Sequence, residues 1–98
     1  MSEAPDNRER LSRIEAALRQ AFAPDELRVE DESHLHAGHA GAQSGRGHFR
    51  VHITAEAFRD RKLLARHRAV YDALGDMMQT DIHALAIHAR APGEDPDG

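Results

Sequence analysis

The amino-acid sequence predicts an α+β domain with the element order helix, strand, strand, helix, strand. Apolar residues recur at helical spacing in two segments, and apolar and polar residues alternate in three others. A strand–helix–strand connection places its two strands parallel with a right-handed crossover, whereas two strands joined directly are antiparallel. We therefore expect a three-stranded mixed sheet that is covered on one face by helices.

The first helix is predicted to start near Asp6 and to end before Pro24. Asp6 followed by Glu9 fits a capping box, in which the aspartate accepts from an early helical N–H and the glutamate reaches back. Proline cannot continue the helix and restricts the residue before it. One apolar face then recurs at the spacing of a helix, in Leu11, Ile14, Leu18 and Phe22.

Two predicted strands flank a long loop. The segment 27–33, "LRVEDES", alternates Leu27 and Val29 with charged residues, and the segment 48–54, "HFRVHIT", alternates in the same way. Between them, residues 34–47 hold four of the seven glycines and show no periodicity. A loop of this length in a compact domain is usually functional or disordered.

The second helix is predicted over residues 63–78 and the last strand over 81–90. The apolar arc of this helix contains Leu63, Leu64, Val70, Tyr71, Leu74, Met77 and Met78. Alternation in "DIHALAIHAR" places one histidine on the apolar face of the strand, together with Leu85, Ile87 and Ala89; that histidine is His83. The resulting αββαβ order is the topology of a type II KH nucleic-acid module.

Composition limits the function classes. Ninety-eight residues form a single domain, with an ordered core expected over about 6–91 and a flexible tail over 92–98. A formal charge of −4 argues against coating of nucleic acid or membrane by bulk electrostatics, and the absence of cysteine excludes disulfides and a catalytic thiol. No signal peptide is apparent, so we expect a cytoplasmic protein without membrane association. No catalytic constellation is recognisable, and we expect no enzyme activity.

Eight histidines are the compositional anomaly. Three of them, His34, His36 and His39, lie within six residues of the long loop. Neutral imidazole is a ligand for zinc, copper, nickel and iron, but a run of histidine and glycine is also an ordinary solvated loop. His83 lies at the beginning of the last strand, where it is either a structural residue or a binding group.

A basic segment, residues 59–68, is a second candidate site. It contains five of the thirteen basic residues, namely Arg59, Arg61, Lys62, Arg66 and Arg68. Such a patch could contact phosphates, although charged residues on exposed helix faces mostly serve solvation. The loop that joins the second strand to the second helix, "AEAFRDRK", has no glycine, and hence no GxxG loop of the kind with which a KH module clamps an RNA backbone.

Several segments together resemble the BolA family. They are "VEDES" before the glycine-rich loop, "HFRVHI", "FRDRKLLARHRAVYDAL" and "IHALAIHAR", and the resemblance runs from about Leu11 to Pro92. The "RHRAVY" helix and the "HAL" strand are specific in combination. The resemblance implies the type II KH-like αββαβ fold, in agreement with the pattern above.

The resemblance also implies a cofactor and a partner. BolA proteins pair with monothiol glutaredoxins and share a [2Fe–2S] cluster, to which the glutaredoxin contributes a cysteine and bound glutathione a second thiolate. The BolA chain contributes a histidine of the last strand, which matches His83. A loop residue supplies the other ligand and matches His36, with His39 close enough to substitute. By itself the chain is expected to bind no cluster and to be a monomer or weak homodimer.

Two imidazoles and two thiolates make a Rieske-like ligand set, which raises the reduction potential relative to an all-thiolate cluster. Assembly should weaken as the imidazoles protonate. The alternative implied by the family is a DNA-binding transcriptional regulator that uses the basic segment. Many relatives have glycine where this chain has Asp60, and a carboxylate there repels phosphate.

Overall fold

The structure, a computed structural model, describes residues 7–32 and 47–94. The helices of this part are α1 (Asn7–Phe22), α2 (Leu63–Leu74) and α3 (Met77–Thr80), with a 3-10 turn at Glu56–Phe58. The strands are β1 (Glu26–Asp31), β2 (Gly47–Thr54) and β3 (Ile82–Arg90). The predicted order of elements is confirmed. Of the helices described, none combines the length and the apolar character that a membrane crossing requires.

The three strands form one mixed sheet in the order β1, β2, β3. β1 and β2 are antiparallel, with Val29 opposite Val51, and β2 and β3 are parallel, with Val51 opposite Ile87. The strand–helix–strand unit therefore makes β2 and β3 direct neighbours, as its connection predicts.

One face of the sheet carries the core. The largest fully buried side chains come from the helices, the strands and the 3-10 turn. They include Ile14, Leu18, Phe49, Val51, Ile53, Phe58, Val70 and Ile82. Full burial of an aliphatic or aromatic side chain of this size contributes about 1.5–3 kcal/mol. Alternation turns the even-numbered residues of β2 to the opposite side, which we call the polar face of the sheet; it carries His48, Arg50, His52 and Thr54 from β2.

The first helix ends as the sequence predicts. It stops at Phe22, and Ala23 follows with a φ of 45° while its N–H donates to the Arg19 carbonyl at 3.0 Å. Pro24 then prevents continuation. The predicted capping residue, Asp6, lies outside the described residues, and the helix is described from Asn7.

The second helix differs from its prediction in two respects. The segment 63–78 is two helices, because Gly75 adopts a φ of 55° and a ψ of −128°, a conformation open mainly to glycine. The predicted apolar arc is also too wide. Leu63 and Leu64 are each 64% exposed and Tyr71 is 39% exposed. The buried line of α2 is set by Val70 and Leu74, four residues apart.

The predicted loop over 34–47 lies outside the described residues except for its last member, Gly47, which begins β2. A Cβ at Gly47 would come within 2.6 Å of the Phe49 ring. Glycine is therefore required where the chain enters β2, so that Phe49 can fill the core.

Candidate functional site

His83 lies on a β-bulge at the start of β3. Gly47 pairs with Ile82 and His48 pairs with Ala84, so His83 is the extra residue between two consecutive pairs. The bulge shifts the alternation by one position. Ile82 fills the core with 1% exposure, and His83 is exposed. The expectation that His83 shares the apolar face with Leu85 is therefore wrong, because alternation presumes a strand without a bulge.

The ring of His83 packs against the ring of His48. The two ring centroids are 5.1 Å apart and the planes are inclined by 46°. His48 is itself buried, with 7% exposure, in contrast to His83. No local pattern in the sequence joins these residues, because they are 35 positions apart and only the parallel pairing of β2 and β3 makes them neighbours.

A buried carboxylate fixes the entry to β3, two residues before His83. Asp81 is 3% exposed, and its side chain accepts from Arg10 Nε at 3.2 Å and from Thr80 Oγ1 at 3.0 Å. Arg13 Nη2 lies 3.2 Å from the second carboxylate oxygen. The Gly47 N–H donates to the Asp81 carbonyl at 2.9 Å. The start of β3 is thereby tied to α1 and to β2.

The pKa of Asp81 is lowered by this arrangement. Burial by itself raises the pKa, because it disfavours the charged form, but the hydrogen bonds from Thr80 and Arg10 and the charge of Arg13 outweigh burial. Asp81 is thus an ionised, fully engaged carboxylate, and its role is to hold the backbone in place.

The other predicted ligands, His36 and His39, lie outside the described residues, as does His34. Among residues 7–32 and 47–94, no three side chains of histidine, aspartate or glutamate are grouped closely enough to hold a metal ion. Of the predicted metal ligands, the described part of the chain therefore contains His83 alone, with His48 beside it.

Two of the five basic residues predicted to bind nucleic acid are engaged within the protein. Arg66 forms a bidentate pair with Glu94, at 2.7 and 2.9 Å, and also donates to the Arg61 and Ala89 carbonyls. Arg59 pairs with Glu56 and donates to the Pro92 carbonyl at 3.0 Å. These two guanidinium groups fasten the segment after β3 to the start of α2.

The pairing of Arg66 has a large effect on Glu94. Its pKa is lowered to about 2, first by the hydrogen bonds from Arg66 and then by the Ala91 N–H, which donates to the carboxylate at 2.8 Å. Glu94 is therefore charged at any physiological pH and competes with external anions for Arg66.

The remaining basic residues, Arg61, Lys62 and Arg68, are exposed. They line a shallow hollow of about 370 Å³ on the outer side of α2, and Leu64 forms part of its apolar floor. Asp60 precedes them with a φ of 64°, a left-handed conformation that favours glycine. A glycine would adopt this conformation with less strain than the aspartate does.

The polar face carries a second histidine pair that sequence reasoning missed. The rings of His52 and His88 stack, with centroids 4.8 Å apart and planes inclined by 8°. Glu30 Oε1 lies 2.9 Å from His52 Nε2, and Arg50 Nη1 lies 2.9 Å from His88 Nε2. Although His88 is exposed, the protein atoms around its ring remove part of the hydration, which lowers its pKa, and electrostatic interactions with His52 and Arg50 lower the pKa further. His88 is thus held neutral and accepts from Arg50.

Comparison with known proteins identifies a family whose matched region includes β2 and β3, the strands that carry His48 and His83. The family model of BolA-like proteins matches residues 18–94. A protein of Sinorhizobium described only as lying in the cobS 5′ region is 45% identical over 83 residues, covering 83% of this chain and 89% of that protein. The DNA-binding transcriptional regulator BolA of Escherichia coli is 43% identical over 76 residues, covering 78% of this chain and 70% of the relative.

Solved structures agree with the sequence comparison. The BolA domain of SufE1 from Arabidopsis thaliana superimposes with a TM-score of 0.77 at 40% identity, covering 88% of this chain and 95% of that domain. By contrast, this chain spans 24% of SufE-like protein 1 and 56% of BOLA1, two relatives from the same plant. The matched region includes the bulge at His83, the basic segment and Glu94, and the chain belongs to the BolA-like protein family.

Proposed function

We propose that the chain is an adaptor that pairs with a monothiol glutaredoxin and shares a [2Fe–2S] cluster with it, in cluster trafficking or in the regulation of iron and redox stress. The observation that carries the proposal is the exposure of His83 at the start of β3, next to the point where the loop of His34, His36 and His39 joins β2. An exposed imidazole on a rigid strand is available to a group brought by a partner.

The donor set of the chain fits a shared cluster better than a resident one. There is no cysteine in the sequence, so thiolate ligands have to come from the partner and from glutathione. His83 would supply one imidazole nitrogen, and His36 or His39 the other. When bound, the cluster supplies one-electron chemistry and transferable iron and sulfide.

The residues of the chain itself have defined tasks in this proposal. The bulge turns His83 out of the core, and the bonds of Asp81 to Arg10 and Gly47 keep the start of β3 in place. Since the backbone is fixed before the partner arrives, little ordering is needed on binding at His83.

The proposal is tested by visible circular dichroism of a monothiol glutaredoxin–glutathione [2Fe–2S] complex titrated with the chain. We expect the wild type to shift the spectrum and His83→Ala to leave it unchanged. His88→Ala is the matched control, an exposed histidine on the same strand, and should behave as the wild type. A spectrum that responds equally to the wild type and to His83→Ala contradicts ligation by His83. Single alanine variants of His34, His36 and His39 then identify the loop ligand.

A second candidate function is regulation of transcription by DNA contact. It is favoured by the description of the E. coli relative as a DNA-binding transcriptional regulator, and by the exposure of Arg61, Lys62 and Arg68 along one hollow of α2. Arg59 and Arg66 are less available to phosphate than the sequence predicts, because each is paired with a glutamate. The contact would therefore be narrower than the whole basic segment.

A further inference from the structure

We propose that His48 is a positioning residue for His83, and that it acts by ring packing and not as a ligand. The inference rests on the proposed function, because it concerns the orientation of the imidazole that would meet the cluster. It starts from the contact between the two rings, whose centroids are 5.1 Å apart.

The bulge brings the His83 ring to this contact. His83 is turned out of the core, where apolar neighbours would otherwise fix its rotamer. Both residues of the bulge, His83 and Ala84, oppose the single residue His48, and Ala84 has a side chain too small to restrict its neighbour. The ring of His48, with which the His83 ring is in contact, is thus a neighbouring surface that can limit where the His83 ring lies.

His48 is suited to this task because it is itself immobilised. It is 7% exposed, and its backbone carbonyl accepts from the Glu32 N–H at 2.8 Å. Gly47, immediately before it, is bound to Asp81, the residue that anchors the start of β3. The two histidines therefore stand on backbone segments that are tied to each other.

A positioning role and a ligand role predict different results for two substitutions. His48→Phe keeps an aromatic ring of similar shape but no nitrogen, and His48→Ala removes the ring. Residues that orient a metal ligand typically change metal affinity 10- to 100-fold when they are removed. We expect His48→Ala to weaken binding to the cluster-loaded glutaredoxin by roughly 10- to 100-fold, and His48→Phe to remain close to the wild type.

The experiment combines the visible circular dichroism titration with a measurement on the chain alone. Carbon-13 relaxation of the His83 ring, in the absence of partner and cluster, should report greater ring mobility in His48→Ala than in the wild type or His48→Phe. Thermal unfolding checks each variant, and His48→Leu, which keeps apolar volume without a ring, replaces His48→Ala if that variant does not fold.

The outcomes separate the inference from the proposed function. If His48→Phe loses binding as His48→Ala does while the ring of His83 stays ordered, the nitrogens of His48 are needed and the inference is wrong. It is equally wrong if the variant without a ring keeps both an ordered His83 and wild-type binding. If the wild type itself does not shift the spectrum, the proposed function fails, and the relaxation data alone decide whether His48 orders His83.

Discussion

Asp81 shows how one residue can fix the backbone next to a candidate site without being a member of that site. Its carboxylate is buried with Arg10 beneath the start of β3, and its carbonyl binds the start of β2. The charge of Asp81 was visible in the sequence, but its burial was not, because the partners are on a helix more than sixty residues earlier. Long-range ion pairs of this kind leave no local pattern.

Replacement of Asp81 by asparagine should be costly. It leaves the Arg10 guanidinium buried without an opposite charge, and we expect the free energy of unfolding to fall by about 3–5 kcal/mol. Arg13→Gln is the control, because the Arg13 side chain is 46% exposed and pairs with the same carboxylate; its cost should stay below about 1 kcal/mol. Urea denaturation followed by far-ultraviolet circular dichroism gives both values. Equal costs would mean that Asp81 is not held as a buried ion pair.

At the scale of elements, periodicity predicts the core face of β2 more accurately than the core face of the second helix. The alternation of Phe49, Val51 and Ile53 gives the correct core face of β2, since one residue in two must face inward. In α2, the same apolar residue types occupy both buried and exposed positions. Leu64 is as apolar as Leu74, and only the placement of the helix on the sheet distinguishes them. The predicted helix continued through Gly75, because a single glycine within a helical pattern does not by itself show that the helix ends there.

The narrow buried line of α2 leads to a direct comparison of two leucines. Leu74→Ala should lower the free energy of unfolding by about 2–5 kcal/mol, because it opens a cavity in the core. Leu64→Ala should change it by less than about 0.5 kcal/mol, since Leu64 is exposed and both residues favour helix. Chemical denaturation of the two variants is sufficient. A large loss for Leu64→Ala would indicate that this residue is covered in the protein.

At the scale of the whole molecule, the arrangement of charge matters more than its sum. The chain is acidic overall, yet the outer side of α2 presents three exposed basic residues while two others are neutralised by glutamates. The net charge follows from the composition, and the location of the basic segment follows from the order of the residues. Neither could predict which members of the segment are available, because Glu94 meets Arg66 only after β3 has returned beside α2. The bulge that exposes His83 could not be predicted either, because it arises only when β2 and β3 pair.

If DNA is bound, the exposed basic residues Arg61, Lys62 and Arg68 should account for most of the electrostatic binding. Arg61→Gln with Arg68→Gln should weaken binding to duplex DNA and reduce the slope of log K against log salt by about 1 for each phosphate that is no longer neutralised. The control pair, Arg8→Gln with Arg19→Gln, makes the same change of net charge on exposed positions of α1. Fluorescence anisotropy at several salt concentrations provides the measurement. The same weakening in both pairs would indicate attraction by net charge alone, and no binding by the wild type would rule out this function.

The bonds of Arg66 have a consequence for self-association. β3 is an edge strand, and an exposed edge is a template on which a strand of another molecule can add. Arg66 Nη1 donates to the Ala89 carbonyl at 3.1 Å, near the end of that edge, and Glu94 holds the guanidinium there. A long charged side chain thus lies over the backbone near the end of β3 and occupies the Ala89 carbonyl. A charged side chain on an edge strand disfavours the addition of a foreign strand at that position.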